Sequence, residues 1–267
     1  WRAGIYGDMG NGSTDNIPGV REGAIGCYDS TRQEFWLFGG NGYASNYTYG
    51  YLNDLWKYRV IDSTWTWVSG SNGVNHPGDY AGETSVPSRS GGVGWFDSST
   101  QEFWVFGGFG PGNSYYNDLW KYQVNGNSWN FVSGGKNQRG NNGVKEQATA
   151  TNIPGSRSGA AGFYDSTNQE FWMFGGYGYG RTSSKGFLND LWRYRVSDNT
   201  WTWISGSDTV DQPGVYGVRG VAHPSNVPGG RRGAAAWYDS SKQEFWLFGG
   251  YYYYDYSVGA YFCGTVE

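Results

Sequence analysis

The stretch QEFWLFGG at residues 33–40 decides the fold, because the chain repeats it three more times. The further copies are QEFWVFGG at 101–108, QEFWMFGG at 169–176 and QEFWLFGG at 243–250, and successive copies are 68, 68 and 74 residues apart. The first three copies are each followed by an Asn-Asp-Leu-Trp segment and then by a Trp-rich segment such as TWTWVSG at 64–70. Long repeats of this kind, without helical periodicity, predict a repeat architecture made of sheets.

Each repeat has the pattern of four short antiparallel strands. The first, at 23–29 in the first repeat, places Gly or Ala at alternate positions, as an innermost strand requires where backbones crowd together. A turn rich in Asp and Ser leads into the QEFWLFGG strand, and the third and fourth strands alternate aromatic with polar residues. One such sheet cannot bury two aromatic faces alone, so we expect the sheets to pack radially on one another.

We therefore predict an all-β fold, a β-propeller with four blade units of four antiparallel strands. The first and last units are incomplete within the chain. A single domain is expected, with blade units at about 21–69, 89–133, 157–205 and 231–267 and with 1–20 as the incoming long loop. Trp104 and Phe106 are expected in the core, where removal of either ring should destabilise the protein severely.

The repeats resemble kelch repeats over nearly the whole chain. The shared marks are an Arg before the first strand, a Gly-Gly pair ending the second, and a Tyr and a Trp in the third and fourth. Here these residues are Arg21, Arg89, Arg157 and Arg231; Gly39–Gly40, Gly107–Gly108, Gly175–Gly176 and Gly249–Gly250; and Tyr58 with Trp65, Tyr122 with Trp129, and Tyr194 with Trp201. The units are longer than the usual repeat of about 50 residues and resemble a long-loop subgroup of the family.

The ends of the chain leave three interpretations open. Trp1 aligns with Trp67 and Trp203, so the first residues could complete the last blade and close a four-bladed ring. The chain could instead be a stretch of a larger propeller, which the resemblance favours. Partner chains could also supply the missing blades.

Long loops are predicted at one end of the blades. The loops between the second and third strands are expected at 41–50, 109–116, 177–186 and 251–259, and those between the fourth strand and the next blade at 2–20, 70–88, 134–156 and 206–230. These loops are rich in Tyr, which suits protein interfaces and sugar stacking. The predicted binding face comprises Tyr43, Tyr47, Tyr49, Tyr115, Tyr116, Tyr177, Tyr179, Arg181, Tyr251, Tyr252, Tyr253 and Tyr254. The alternative is that these rings only cover the Gly-rich loops and pack on one another.

Composition argues against two classes of partner. The net charge is −4 and no basic tract occurs, so a nucleic acid partner is not expected. No apolar run approaches about 20 residues, so no membrane span is expected.

Catalytic chemistry and cofactors are not expected either. Kelch-type propellers include copper radical oxidases that resemble galactose oxidase, and their site requires two His, two Tyr and a Cys. His76 and His223 occupy different positions of the repeat, which makes a weak metal site. The acidic residues recur in register, whereas a catalytic pair of acids must differ from its neighbours. We expect these acids to have structural roles, in turn hydrogen bonds and in pairing with the recurrent Arg. They are Glu34, Glu102, Glu170 and Glu244; Asp29, Asp97, Asp165 and Asp239; and Asp54, Asp118 and Asp190.

Two cysteines and two sequons are candidate sites of covalent modification. Cys27 takes a repeat position that is aromatic elsewhere, and it could form a disulfide with Cys263 or remain a small buried side chain. Asn11 and Asn46 are candidate glycosylation sites on the long-loop end. The sequons, the low Lys content, the acidic pI and the aromatic loops favour an extracellular or cell-surface protein.

The sequence thus predicts a non-catalytic kelch propeller that serves as a binding or adhesion module through its Tyr-rich loops. The expected partner is a protein or a glycan, or further copies of the chain. The main alternative is a structural subunit of a larger extracellular assembly or filament. A copper oxidase or a hydrolase is a third, less favoured interpretation.

Overall fold

The computed structural model describes residues 2–182 and 184–252. Within these ranges the chain forms β-strands, turns and a 3₁₀ turn at Pro111–Asn113, with no α-helix. The same ranges contain no helix with the length and hydrophobicity of a membrane-spanning segment. The chain divides into two compact units, Trp1–Lys136 and Asn137–Glu267, each with two of the predicted repeats.

The first blade belongs to the Trp1–Lys136 unit. Its strands are β1 Gly12–Ser13, β2 Arg21–Glu22, β3 Ile25–Asp29, β4 Glu34–Tyr43, β5 Tyr49–Arg59 and β6 Thr64–Ser69. All pairings are antiparallel, in the order β1-β6-β5-β4-β2, and β3 also pairs with β4. Gly23, at φ +63°, separates β2 from β3. The four predicted strands are therefore confirmed, with two short additional strands, β1 at the outer edge and β2 beside the end of β4.

The second blade, in the same unit, keeps the four-strand pattern without an added edge strand. Its strands are β7 Val93–Asp97, β8 Glu102–Gly110, β9 Ser114–Gln123 and β10 Ser128–Ser133. Their order is β10-β9-β8-β7, and each neighbouring pair is antiparallel.

The Asn137–Glu267 unit contains the third blade and part of the fourth. The third has β11 Arg157–Ser158, β12 Ala161–Asp165, β13 Glu170–Tyr179, β14 Lys185–Arg195 and β15 Thr200–Ser205. The fourth has β16 Arg231–Arg232, β17 Ala235–Asp239, β18 Glu244–Phe248 and β19 Tyr251–Tyr252. In the fourth blade, β17 pairs with β18 and β16 pairs with β19, both antiparallel.

Aromatic side chains fill the space between adjacent sheets in each unit. In the first unit, the Trp36 ring stacks on Phe96 at 5.5 Å between centroids, and the Phe38 ring lies 5.2 Å from Trp129. In the second unit, the Phe163 ring stacks on Tyr238 at 4.7 Å. Adjacent sheets thus pack face to face through repeated aromatic positions, as the blades of a β-propeller do.

The innermost strands carry small residues at alternate positions for a steric reason. A Cβ added at Gly94 in β7 would lie 2.5 Å from the Trp104 carbonyl oxygen and 2.6 Å from Ile25 Cγ2 of the first blade. The predicted core residues Trp104 and Phe106 are each only 1% exposed.

The Gly-Gly pairs correct one prediction about the second strands. We expected the chain to leave the sheet there, yet β4 continues to Tyr43 through a bulge between Phe38 and Gly40. Gly39 and Gly40 adopt positive φ of +63° and +105°, which supplies the bulge. About half of each predicted loop at 41–50, 109–116 and 177–186 is therefore strand, and these segments form hairpins that extend each sheet beyond the bulge.

Candidate functional site

A buried cluster of Arg, Asp, Trp and Tyr anchors the incoming loop to its blade. Arg21 donates to both carboxylate oxygens of Asp54, at 2.6 and 2.8 Å. The Trp56 indole and the Tyr6 hydroxyl also donate to Asp54 Oδ2, at 2.7 and 2.6 Å. The arrangement recurs as Arg89, Asp118, Trp120 and Tyr80 in the second blade, and as Arg157, Asp190 and Trp192 in the third.

These clusters show what the recurrent acids do. Burial, and then the charge of the neighbouring Asp, raises the pKa of Tyr6 and of Tyr80 far above the usual range, so both phenols remain neutral hydrogen-bond donors. Among the other recurrent acids, Glu34 accepts from Lys57 at 3.0 Å, and Asp29 accepts from the Thr31 amide in the turn at 3.0 Å. The predicted pairing of Asp with the recurrent Arg and the predicted turn hydrogen bonds are confirmed.

The two histidines have local roles in their loops. His76 Nδ1 accepts from the Gly78 amide at 3.1 Å. His223 Nδ1 lies 2.6 Å from the Ser225 hydroxyl. Within residues 2–182 and 184–252, no group of three or more His, Cys, Asp or Glu side chains is placed to hold a metal ion.

The extended hairpin of the first blade presents tyrosines on paired strands. Tyr43 and Tyr49 are cross-strand partners whose rings meet edge to face at 5.1 Å. Asn41 Nδ2 donates to the Tyr49 hydroxyl at 3.0 Å. Tyr47, at the turn, has a left-handed φ of +61° and is 70% exposed. Aromatic cross-strand pairs stabilise hairpins, so these rings are held on a rigid support.

The hairpin of the second blade packs its rings more closely. Phe109 and Tyr115 are cross-strand partners with centroids 4.7 Å apart, and the Phe109 ring also lies 5.8 Å from Tyr51. Tyr116 is buried, with the Arg89 guanidinium 4.4 Å from its ring centroid. Tyr116, although predicted on the binding face, therefore has little surface to offer a ligand.

In the second unit the predicted face residues form a separate aromatic group. The Phe187 ring lies 5.1 Å from Tyr177 and 5.6 Å from Tyr251. The Arg232 guanidinium lies 5.7 Å from the ring centroids of Tyr177 and Tyr251, which adds a cation–π contact. Of the remaining predicted residues in this unit, Tyr179 contacts Lys185, Arg181 pairs with Asp208 at 3.4 Å, and Tyr252 lies in β19. Tyr253 and Tyr254 lie outside the described residues.

Main-chain contacts fix the hairpins to the loops that leave each blade. The Tyr51 amide donates to Asn75 Oδ1 at 3.1 Å, and the Asn75 amide donates back to the Tyr51 carbonyl at 2.7 Å. Phe187 and Asp211 repeat this reciprocal pair, at 2.8 and 2.7 Å. The prediction that both kinds of loop lie at the same end of the blade is thus confirmed within each unit.

Three of the long loops are themselves repeats, which our reading of the sequence missed. Residues 4–20, 140–156 and 214–230, here called capping loops, each end in Asn-Ile-Pro-Gly or Asn-Val-Pro-Gly. The Asn side chain closes the loop: Asn152 Nδ2 donates to the Gln147 carbonyl at 2.7 Å and to the Trp201 carbonyl of β15 at 3.1 Å. Asn16 does the same with Asn11 and with Trp65 of β6. Loops 4–20 and 140–156 therefore cover the outer edge of the blade that they enter. The recurring Asn-Ile-Pro-Gly or Asn-Val-Pro-Gly segment was the available signal.

The remaining predicted residues lie at the surface or in the blade interior. Asn11 and Asn46 are both exposed. Within the described residues Cys27 has no disulfide partner; it lies opposite Trp36, at the position that Trp95 fills in the second blade. Burial raises the pKa of the Cys27 thiol to about 12, so it stays protonated. Cys263 lies outside the described residues, so its pairing with Cys27 stays a prediction.

Comparison with known proteins bears on the fold alone. No family model matches the chain. Solved structures do match, and one of them, titled "Structure of YjhT", superposes with a TM-score of 0.53 at 17% sequence identity. The match covers 89% of this chain and 61% of the YjhT chain, so this chain spans about three fifths of that protein's length. YjhT is a propeller, and with the repeated antiparallel sheets the match shows that this chain has a β-propeller-like fold.

Proposed function

We propose that this chain is part of a kelch-type propeller that binds a protein or glycan ligand without catalysis. The observation that carries the proposal is the first-blade hairpin, where Tyr43 and Tyr49 face each other on paired strands and Tyr47 lies in the turn between them. Tyr rings on a rigid support offer large contact areas at little entropic cost, and flat rings beside Asn side chains suit sugar stacking. The register of Arg, Gly-Gly, Tyr and Trp supports the kelch assignment.

The placement of the acidic residues supports the absence of catalysis. In each of the first three blades the recurrent Asp is fully engaged by Arg and Trp, as Asp54 is by Arg21 and Trp56. A carboxylate that accepts this many charge-assisted bonds is a poor general base, because protonation would break them.

A glycan array and a panel of cell-surface proteins, probed with labelled chain, test the proposal. Tyr47→Ala together with Tyr49→Ala should lower binding to the best hit at least tenfold, since each ring would contribute about 1 kcal/mol or more. Ile61→Ala is the control, because Ile61 is 82% exposed and lies in the turn between β5 and β6, at the opposite end of the same blade. If the double variant and the control bind equally well, the hairpin is not the binding site.

A second candidate function is that of a subunit in a larger assembly, and the exposed face of the first blade favours it. Phe35 is 48% exposed, whereas Phe103, at the same repeat position in the second blade, is 0% exposed. Phe103 is covered there by Trp36 and Phe38 of the first blade. Phe35 and Tyr28, with ring centroids 4.6 Å apart, thus form an apolar face of the kind that another blade covers.

Light scattering separates the two candidates. An assembly should show a mass above that of the monomer, and Phe35→Asp should reduce it to the monomer while Tyr47→Ala leaves it unchanged. A wild-type protein that stays monomeric at high concentration argues against this candidate and leaves the ligand-binding proposal standing.

We also propose an extracellular location, supported by the exposure of the two sequons at Asn11 and Asn46. Expression in a secreting eukaryotic cell followed by enzymatic deglycosylation checks it. A mass shift lost in Asn11→Gln and Asn46→Gln variants is expected, and a secreted protein without any shift would contradict glycosylation at these sites.

A further inference from the structure

The loop that enters the second blade is shorter than the capping loops. The bridge Asp79↔Ser85 joins the two ends of its closed part, as one bridge does in each capping loop: Ile5↔Ile17, Asn141↔Ile153 and Val215↔Val227. Eleven residues lie between the bridged pair in each capping loop, whereas five lie there in loop 70–88. This shorter segment closes on itself, because the Gly82 amide and the Thr84 hydroxyl donate to the Asp79 carboxylate at 2.8 and 3.0 Å.

Thr84 occupies the position that Asn holds in the capping loops. It directly precedes the second residue of the bridge, as Asn16 and Asn152 do. Those two Asn side chains donate to the first Trp carbonyl of the outer strand in their blades, at 3.1 Å in both cases. Thr84 donates to Asp79 instead. Loop 70–88 therefore does not give the second blade this donor.

A second donor of the capping loops has no counterpart in loop 70–88. The Gly10 amide donates to the Trp67 carbonyl of β6, and the Glu146 amide donates to the Trp203 carbonyl of β15, each at 2.8 Å. In both loops this amide lies six residues before the Asn. The five residues between Asp79 and Ser85 are too few to hold a donor at that spacing.

Within the described residues, the outer edge of the second blade is therefore uncapped. Trp129 and Phe131 of β10 correspond to Trp65 and Trp67 by their pairing with the third strand. Across residues 2–182 and 184–252, only β9 pairs with β10, and no loop donates to the Trp129 or Phe131 carbonyl. The sequence of β10, SWNFVS, has neither a charged residue nor a proline, which commonly protect a strand edge. This edge can therefore accept an added segment.

A polar cavity lies between the shortened loop and β10. Its volume is about 300 Å³, several times the ~30 Å³ share of one water molecule, and its lining includes Thr84, Ser85 and Trp129. His76 and Ser71 also line it, and all of its lining residues lie between 53 and 129, in the first unit. His76 Nδ1 accepts from the Gly78 amide, so the neutral imidazole carries its proton on Nε2. Hydroxyl groups and an imidazole donor suit a polar side chain.

We propose that this cavity and the outer edge of β10 bind a peptide segment of a partner protein, folded as the capping loops are. Its Asn side chain would lie beside Thr84 and donate to the Trp129 carbonyl, and an amide six residues earlier would donate to the Phe131 carbonyl. Capping loops 4–20 and 140–156 indicate this occupant, because both present the two donors, at this spacing, to an equivalent strand. The tyrosines of the hairpins are not part of this site, so its test is independent of theirs.

The test uses the full chain and a fluorescently labelled cyclic peptide with the sequence of residues 5–17, in which cyclisation replaces the bridge between the ends. We expect saturable binding by fluorescence anisotropy, with slower amide hydrogen exchange at 128–133. A peptide with Asn16→Asp should bind about tenfold more weakly, as should a peptide methylated at the Gly10 amide, because each loses one donor to β10. These changes leave the protein itself unaltered, so their outcome does not depend on the folding of a variant.

A loop replacement locates the site in the protein. A chain in which the sequence of residues 6–16 replaces residues 80–84 supplies its own cap, so it should bind the peptide at least tenfold more weakly. The matched control places the same sequence at 142–152, exchanging one capping loop for another of equal length, and should change the affinity less than twofold.

Three results would overturn the proposal. The first is the absence of saturable binding up to about 1 mM peptide. The second is equal affinity for the parent peptide and both modified peptides. The third is unchanged binding by a folded chain that carries the replacement at 80–84.

Discussion

Removal of the Asp118 carboxylate should destabilise the protein more than removal of any solvent-exposed charge. Asp118 and Arg89 are both 0% exposed, and Arg89 donates to the two carboxylate oxygens at 2.6 and 2.7 Å. Asp118 also accepts from Trp120 at 2.8 Å and from Tyr80 at 2.6 Å. Asp118→Ala leaves a buried cation and two further donors without their acceptor, and breaking such a pair costs about 3–5 kcal/mol.

Equilibrium unfolding in urea, followed by tryptophan fluorescence, measures this loss. Urea is uncharged, so it does not screen ion pairs as guanidinium does. The control is Arg181→Met, which removes a pair with Asp208 in which the Arg side chain is 68% exposed. This change should cost about 0–1 kcal/mol. A loss below about 1 kcal/mol for Asp118→Ala, with an unchanged denaturant slope, would refute the reasoning.

A double variant separates the charge from the packing. Arg89→Met with Asp118→Leu removes both charges and fills most of the volume, so it should recover part of the loss seen in Asp118→Ala. It should remain less stable than the wild type. The remainder has two parts. Methionine cannot bond the Pro87 and Gly107 carbonyls, which Arg89 bonds at 3.0 and 2.9 Å, and leucine cannot accept from Trp120 and Tyr80 as Asp118 does.

Three further predictions concern the loops, alkaline stability and the bulge. Asn152→Ala should lower the free energy of unfolding by about 1–2 kcal/mol, because it leaves the buried Trp201 carbonyl and the Gln147 carbonyl without this donor. Asn226→Ala, in a more exposed loop, should cost less in the same urea assay. Burial raises the pKa of Tyr122 to about 12, whereas the pKa of tyrosine in the unfolded chain is about 10. The stability that its neutral phenol contributes is therefore complete below pH ~10 and is lost as the pH rises towards 12. Tyr122→Phe should therefore show a smaller fall in the urea midpoint across this range, and an equal fall would contradict the assignment. Gly39→Ala should lower the thermal unfolding midpoint much more than Gly233→Ala does. Both glycines have positive φ, but an added Cβ would lie 2.7 Å from a carbonyl oxygen at Gly39 and would meet nothing within 4 Å at Gly233.

The blade pattern could be predicted because each local feature repeats with its physical cause. Alternation at 25–29 and 34–38 places Cys27 and Trp36 on one face of the sheet and Tyr28 and Phe35 on the other. The second blade repeats the cross-strand pair as Trp95↔Trp104. The equivalence of Cys27 with an aromatic position was predicted from the repeat alone and is confirmed.

Two features could not be predicted with the same reasoning. The hairpins continue past the Gly-Gly pairs because positive φ at Gly39 and Gly40 produces a bulge, and the sequence does not distinguish a bulge from a strand end. The choice of Asp54 rather than Glu34 or Asp29 as the partner of Arg21 depends on which side chains the third strand carries inwards. The capping loops could have been predicted, because Asn-Ile-Pro-Gly or Asn-Val-Pro-Gly recurs in all three. Loop 70–88 lacks this segment, which interrupts the repeat along the chain.

The buried Arg–Asp pair has a role that an apolar pair could not fill. Arg89 bonds the carbonyls of Pro87 in the incoming loop and of Gly107 in the bulge, while Asp118 belongs to the third strand and accepts from Tyr80 of the loop. One ion pair thus joins the loop, the bulge and the third strand at the end of the blade where the hairpin begins. Because bulge geometry directs the hairpin, the orientation of the exposed tyrosines depends on a charge pair inside the blade. Loops can then differ in sequence from blade to blade while their attachment stays constant, which explains why the acids recur in register although the surfaces that they support differ.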